Sequence, residues 1–283
     1  ACAGPGATNR ALQPMNARAS LHVPGVASWI EFRAAREQRV RAVRFPRLTL
    51  VRVREGAKEI CHGGQRMLAH AATLLLAPAG SVMDVCNQPG AGRFRSECLT
   101  LDPTLVERFA VREASLLHSA PPPPCVAVTP MLAEVWAHAM HGWETPTDAR
   151  VLAHRLEELL LALALAGHGA ALRPAASLAV SERVRRLLLA KPGADWRADQ
   201  VAAQLHCSAA TLRRQLARER AAFSDILREC RLGQALMLLQ TSPWPVARIA
   251  AECGYDCASR FAVSFRQRYG LSPSALRATL PAG

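Results

Sequence analysis

The C-terminal part of the sequence repeats one pattern twice: a short amphipathic helix, a tight turn and a second helix. In the first copy, Ser208 follows a short helix that starts at Asp199, and it is a suitable N-cap for the next helix. In the second copy, Gly254 separates helices over residues 246–253 and 257–269. Because two short helices around a tight turn form a helix-turn-helix unit, the pattern restricts this segment to an all-α domain with two such units.

The basic residues are concentrated in the same segment. The net charge of the chain is +13, and from Ser181 onward sixteen Arg and Lys face eight Asp and Glu, which places +8 of that charge in the C-terminal third. Lys58 and Lys191 are the only lysines, so almost all of the positive charge is carried by arginine. Guanidinium groups suit phosphates and guanine edges, so the composition favours a polyanionic partner without defining its sequence.

The two units carry residues at fixed offsets that resemble one known family. In the second unit these residues are Ile249-Ala250, Gly254-Tyr255, Ser259-Arg260-Phe261, Phe265-Arg266, Tyr269-Gly270-Leu271-Ser272-Pro273 and Arg277. They resemble the C-terminal signature of the AraC/XylS transcription regulators, and the first unit is similar from Val201-Ala202 to Leu238-Leu239. The resemblance covers about residues 180–280. Two positions depart from it: Arg220 stands where the family usually has glycine, and Leu276 replaces a common aromatic residue.

The resemblance implies which side chains face DNA. The residues that it aligns with base contacts are Ala210, Arg213, Arg214, Ala258, Ser259, Arg260 and Val263. An arginine can bond O6 and N7 of one guanine, so the three arginines are the candidates for base reading, with an ordinary solvated arginine as the alternative at each position. Ser208, Arg266 and Arg268 are the candidates for phosphate contacts, which position a protein without reading sequence.

A long helix is predicted between the two units. Phe223–Gln240 has apolar residues at helical spacing, and its eighteen residues give a length of roughly 27 Å at about 1.5 Å per residue. Successive major grooves on one side of B-DNA lie roughly 34 Å apart. Such a helix lets one chain insert the second helix of each unit into neighbouring grooves.

The N-terminal half is rich in β-type runs between turn signals. We predict strands at Leu48–Val53, Glu59–Cys61, Gln65–Leu68, Thr73–Leu76, Ser81–Val85 and Arg93–Leu101. The segment from Leu74 to Gly80 is similar to the strand-and-turn pattern of a cupin-type ligand-binding barrel. The predicted fold class is therefore α+β with two domains: an N-terminal cupin-like β-barrel with flanking helices, and a C-terminal all-α domain with two helix-turn-helix motifs.

Helical periodicity replaces the β pattern after Pro103. Helices are predicted at Leu105–Phe109, Met131–Met140 and Ala149–Ala166, the last with a leucine stripe that either its own domain or the same helix of a second subunit must cover. The predicted domains are a partly disordered segment over residues 1–35, a sensing and oligomerisation domain over 36–168, a linker over 169–180 and a DNA-binding domain over 181–283.

No cluster of catalytic or metal-ligating residues is visible in the sequence. His62 and His70 stand apart, and Cys253 and Cys257 lack further ligands at zinc-site spacing, so we expect neither metal nor cofactor and interpret the two cysteines as small buried residues. A metal-dependent cupin enzyme fused to a DNA-binding tail, an alkyl-transfer sensor that uses a thiol, and a non-specific architectural DNA-binding protein are the alternatives. We expect a protein that binds rather than catalyses.

The remaining expectations concern location and partners. No apolar run approaches the roughly 18 residues that span a bilayer, no secretory signal is found, and nine cysteines, an odd number, favour a reducing cytoplasm. We therefore expect a soluble bacterial cytoplasmic protein with double-stranded DNA as its partner and no membrane association. The resemblance implies an activator that recruits RNA polymerase and responds to a small-molecule or protein effector at the N-terminal domain; a homodimer is one option.

Overall fold

The computed structural model describes residues 20–118, 124–145, 147–174 and 179–281. The strands in these ranges are β1 Ser20–Val23, β2 Ala27–Ala34, β3 Gln38–Arg44, β4 Thr49–Glu55, β5 Ala57–His62, β6 Gln65–Ala69, β7 Thr73–Ala77, β8 Val82–Gln88, β9 Phe94–Leu101 and β10 Cys125–Ala127. The α-helices are α1 Pro103–Arg112, α2 Pro130–Glu144, α3 Ala149–Leu163, α4 Val180–Leu189, α5 Ala198–Gln204, α6 Ala209–Arg218, α7 Phe223–Thr241, α8 Val246–Glu252, α9 Ala258–Tyr269 and α10 Pro273–Arg277.

The strands form two antiparallel sheets that pack face to face. One sheet has six strands in the order β1-β2-β9-β4-β7-β10, and the other has four in the order β3-β8-β5-β6. Val51 and Phe94 of the first sheet share a core with Ile60, Met83 and Val85 of the second. All six strands predicted from the sequence are present as β4–β9, with ends that differ by at most three residues.

The six-stranded sheet is covered on both faces, which explains its nearly continuous apolar strands. Leu74 and Leu76 of β7 pack against α1, α2 and α3, whereas Leu75 between them points into the core shared with the second sheet. A strand buried on both faces needs apolar residues at successive positions rather than at alternate ones. The leucine stripe of α3, from Leu152 to Leu163, is buried in the same layer, so it belongs to the core of its own domain.

One prediction about this domain was wrong. The cupin-like barrel is not closed: β1 and β10 end one sheet and β3 and β6 end the other, with no strand pairing between the sheets among the described residues. Residues 20–34 of the segment predicted to be partly disordered include β1 and β2; seven of the eight β2 residues are buried or half-buried, and the strand pairs with β9 along its whole length. Residues 1–19 lie outside the described residues.

The C-terminal helices form two small cores that share α7. Val184, Val201, Leu212 and Leu216 pack with the first half of α7, and Ile249, Phe261 and Phe265 pack with its second half. The helix therefore connects the two helix-turn-helix units as the sequence predicted. Nowhere in the described ranges does a helix combine the length and the apolar character needed to cross a bilayer.

Candidate nucleic-acid interface

The first helix-turn-helix unit consists of α5, a tight turn and α6. The turn includes His206 at φ 57°, and the backbone N–H of Cys207 donates to the carbonyl of Ala202 at 3.0 Å. Ser208 then caps α6, because its hydroxyl accepts a hydrogen bond from the backbone N–H of Thr211 at 3.1 Å. The predicted N-cap is therefore in place, and it fixes the direction in which α6 leaves the turn.

The second unit repeats this arrangement with α8 and α9. Gly254 has φ 77°, and the N–H of Tyr255 donates to the carbonyl of Ala250 at 3.0 Å, which closes the turn. Phe261 and Phe265 of α9 are fully buried, and their ring centroids lie 5.6 Å apart. Because the buried side of α9 is fixed by these rings, the opposite side must face solvent.

Both second helices present the predicted contact residues to solvent. All seven side chains assigned to base contacts are exposed: Ala210, Arg213 and Arg214 on α6, and Ala258, Ser259, Arg260 and Val263 on α9. Val263 is 57% exposed, which is unusual for a large apolar residue in a folded domain. Within the described ranges, no carboxylate forms an ion pair with the three arginines. Their guanidinium groups are free to bind an external anion or a base edge.

The three residues predicted to contact phosphate differ in their surroundings. Ser208 and Arg266 are exposed. Arg268 is half-buried, and its guanidinium donates to the Oε1 of Glu229 at 2.5 Å. In this conformation the guanidinium of Arg268 is therefore already paired with a carboxylate of the protein. Its position in the sequence gave no sign of this ion pair.

Glu229 of α7 is the centre of an ion-pair cluster whose residues come from β3, α4, α7 and α9. Its carboxylate accepts from Arg44 of β3 at 3.1 Å, from Arg185 of α4 at 2.8 Å and from Arg268 of α9. Arg185 also lies 3.7 Å from Glu182. We name these five residues the Glu229 cluster. No sequence signal identified it, since its members are far apart in the chain.

The two units also touch directly through glycines. A Cβ atom on Gly193 would lie 2.0 Å from the carbonyl oxygen of Glu252, so only glycine fits in this position. Arg231 of α7 donates to the carbonyls of Pro192 and Ala194 on either side of this glycine, at 3.3 Å and 3.0 Å. The loop after α4 is thereby fixed against the end of α8.

Strand β3 of the N-terminal domain packs against the second unit. Val40 is 3% exposed and packs in the same core as Leu236, Phe265 and Leu276. The backbone N–H of Ala35 also donates to the carbonyl of Thr279 at 2.8 Å. The second unit and the N-terminal domain therefore share a continuous interface. Leu276, which replaces a common family aromatic, is completely buried there.

The two cysteines of the second unit have opposite environments. Cys253 is buried, and burial raises the pKa of its thiol to about 12. Cys257 is exposed, which corrects the prediction that both are buried, because its position just before α9 leaves its side chain at the surface. The backbone N–H groups of Arg260 and Ser259 lower the pKa of this thiol. Among the described residues, no group of three or more His, Cys, Asp or Glu side chains is placed to hold a metal ion.

A cavity of about 510 Å³ lies between the two sheets and opens toward α4 and α7. Its lining is mostly apolar and includes Ile30, Val51 and Leu75 from the sheets and Leu189 and Leu236 from the C-terminal helices. Arg44, Arg185, Glu229 and Arg268 also line it. The cavity therefore reaches from the interior of the N-terminal domain to the Glu229 cluster.

The comparisons with known proteins agree with this geometry. Residues 201–279 match the family described as helix-turn-helix domain. The transcriptional regulator SirC of Salmonella typhimurium is 29% identical over 109 residues, which are 38% of this chain and 37% of that protein. The urease operon transcriptional activator of Escherichia coli is 33% identical over 97 residues, 34% of this chain and 33% of that protein. The chain thus matches about a third of the length of these relatives.

One solved structure has a similar fold over most of the length of this chain. The structure of ToxT from Vibrio cholerae has a TM-score of 0.66, covering 91% of this chain and 100% of that one at 10% identity. At this identity the likeness concerns the fold, namely an N-terminal sheet domain followed by a helical domain. Together with the two helix-turn-helix units and their signature residues, the sequence matches assign the C-terminal domain of this chain to the helix-turn-helix domains of the AraC/XylS type.

Proposed function

We propose that this chain is a sequence-specific transcription regulator that inserts α6 and α9 into two successive major grooves. One observation carries the proposal: α6 and α9 both present an exposed face with unpaired arginines, and they lie on either side of α7. The 19 residues of α7 span roughly 28 Å at about 1.5 Å per residue. This length is close to the roughly 34 Å that separates neighbouring major grooves on one side of DNA.

The proposed roles follow from exposure and chemistry. Arg213 and Arg214 of α6 and Arg260 of α9 read base edges, and the small or apolar side chains beside them, Ala210, Ala258, Ser259 and Val263, contact other edges or thymine methyl groups. Ser208 and Arg266 contact phosphates. Arg268 can make its phosphate contact only after its guanidinium leaves Glu229.

We propose that residues 181–283 form the DNA-binding domain, that 36–168 form a sensing domain and that 169–180 form a linker. The cavity that reaches from the sheets to the Glu229 cluster is the proposed effector site, since a ligand there would contact both domains. One ToxT structure of this fold contains a bound unsaturated fatty acid, which supports a small-molecule effector here. Activation through RNA polymerase is the proposed output, in line with the urease operon activator, and a homodimer would double the contact with DNA.

Selection of binding sites from a random DNA pool by the full-length chain tests the proposal. We expect an asymmetric motif made of two segments about one helical turn apart, enriched at both low and moderate salt. Binding that enriches no sequence and disappears as salt rises would instead indicate an architectural protein held by charge.

Single substitutions test the assigned roles. Arg260→Ala should relax the base preference at one position of one segment, with a loss of roughly 1–3 kcal/mol on the preferred sequence. Arg266→Ala should weaken binding to all sequences alike and make the salt dependence shallower. Arg66→Ala, on the exposed surface of β6, removes the same charge far from DNA and serves as the control. Equal losses on all sequences for Arg260→Ala and Arg266→Ala would refute the assignment.

A further inference from the structure

Lys58 of β5 places an amine inside the N-terminal domain. The residue is 6% exposed and lines the cavity between the sheets. Its Nζ donates a hydrogen bond to the Oδ1 of Asn87 and lies 5.1 Å from the centre of the Phe94 ring. Ile60 of the same strand and Val51 and Val85 of neighbouring strands belong to the apolar core between the sheets. An ammonium group in such a place has lost most of its water.

This ammonium lacks a charged partner. No carboxylate of the described residues lies within ion-pair distance of Nζ, and its hydrogen-bond partner is a neutral amide. Buried charges in folded proteins are normally paired, because a charge that is removed from water without compensation costs several kcal/mol. The other buried basic residue, Arg185, follows the rule through Glu229. Lys58 is therefore the exception, and the empty space beside it is the cavity.

Asn87 connects this amine to the DNA-binding domain. Because its Oδ1 accepts from Lys58, its Nδ2 is the donor to the Oε1 of Gln38 at 2.9 Å. The same Gln38 oxygen accepts from the Nε2 of Gln240 on α7 at 2.8 Å, and the Nε2 of Gln38 donates to Thr279 at 2.8 Å. Each amide orientation is fixed by the previous one, so a change at Lys58 has a direct polar route to α7.

We propose that Lys58 anchors the anionic head group of an amphiphilic ligand, a carboxylate with an apolar chain, inside the cavity. The carboxylate pairs with the ammonium, and the chain occupies the apolar space toward α4 and α7. The hydrogen bonds from Asn87 through Gln38 to Gln240 transmit the effect of the bound ligand to the DNA-binding domain. This inference rests on the proposed role of the cavity as an effector site and adds the chemistry of the ligand and the residue that selects it.

The arginines of the Glu229 cluster offer the head group a second location, and the experiment must distinguish it from Lys58. Arg44, Arg185 and Arg268 line the same cavity and offer positive charge near its opening. They share the carboxylate of Glu229, whereas Lys58 has no carboxylate. A ligand anion therefore gains a full partner at Lys58, whereas at the cluster the carboxylates of Glu229 and Glu182 already share the three arginines.

Calorimetric titration of the full-length protein with decanoate and with decan-1-ol distinguishes these cases. Both probes have the same chain length, so their difference in affinity reports the head group. We expect decanoate to bind roughly ten- to a hundredfold more tightly, as for a charge-assisted hydrogen bond. Lys58→Met should abolish this preference and retain decanol binding. Lys191→Met, which removes the only other lysine at an exposed position, should change neither affinity.

A preference for decanoate that persists in Lys58→Met, or that disappears only in Arg44→Gln, would overturn the proposal and move the head group to the cluster. Failure of the wild-type protein to bind either probe would also overturn it, while an asymmetric DNA motif would still support the proposed function. Gln240→Met should keep the preference for decanoate over decan-1-ol but lose any effect of decanoate on DNA affinity.

Discussion

Replacement of Lys58 by methionine should stabilise the protein at neutral pH in the absence of ligand. Burial lowers the pKa of the Lys58 amine from 10.5 to about 8. At about 1.4 kcal/mol for each pKa unit, the buried ammonium costs roughly 3 kcal/mol of folding free energy at pH 7. Methionine removes this cost but leaves the Oδ1 of Asn87 without a donor, which costs about 1–2 kcal/mol. The expected net gain is about 1–2 kcal/mol.

The sign of the pH dependence follows from the same lowered pKa. Between about pH 8 and pH 10.5, the unfolded chain holds the Lys58 proton and the folded chain has released it. The contribution of Lys58 to the free energy of unfolding should therefore rise with pH through this window, and Lys58→Met should lack that contribution. Cys98 and Cys86 are the nearby titratable groups; burial raises the pKa of Cys98 to about 12 and also raises that of Cys86. These raised thiol pKa values oppose the Lys58 contribution as the pH rises, and the Lys58 charge lowers the pKa of Cys98, so the quantity to compare is the difference in unfolding free energy between the two proteins.

Urea unfolding at pH 7, 8, 9 and 10 measures the difference directly. The advantage of Lys58→Met should be greatest at pH 7 and shrink as the pH rises, whereas Lys191→Met should follow the wild-type protein at every pH. A Lys58→Met protein that is less stable at pH 7, with a deficit that does not change with pH, would show that the amine is well solvated. The reasoning about an unpaired buried charge would then be refuted.

Three further substitutions probe the helical domain. Arg220→Gly should raise the free energy of unfolding by about 1 kcal/mol in urea titrations, since Arg220 is exposed at φ 54°, where a side chain is strained. Gly193→Ala should weaken binding to a two-segment DNA site while leaving each segment readable in selection experiments, because its Cβ collides with Glu252 and shifts one unit against the other. Ser208→Ala should cost about 1 kcal/mol in unfolding free energy, through loss of the cap on Thr211.

The elements that carry the candidate interface could be predicted from sequence because local periodicity fixes them. Leu212 and Leu216 determine the buried side of α6, and Phe261 and Phe265 determine that of α9, so the exposed side of each helix follows from 3.6 residues per turn. Turn residues such as Gly254 then mark the helix ends. The family resemblance added residue roles to these helices, and those roles stay predictions.

The long-range contacts could not be predicted, for physical reasons that differ by residue. Lysine is almost always exposed, so the alternating pattern of β5 gave no sign that Lys58 points inward. Val40 looks like an ordinary strand residue, although it packs in the core of the helical domain, because an apolar side chain does not specify its partner. The open sheets also escaped prediction, since barrel and sandwich strands share the same alternation.

The charge of the Glu229 cluster bears on how α9 docks on DNA. Three guanidinium groups share the carboxylates of Glu229 and Glu182, so the cluster retains one net positive charge in a partly buried place. This excess favours the departure of one arginine toward an external anion, because the two carboxylates still balance the two that stay. Arg268 is the member on α9, close to exposed Arg266. Its transfer to a phosphate would leave Glu229 paired with Arg44 of the N-terminal domain, so DNA binding and the interdomain ion pair are compatible.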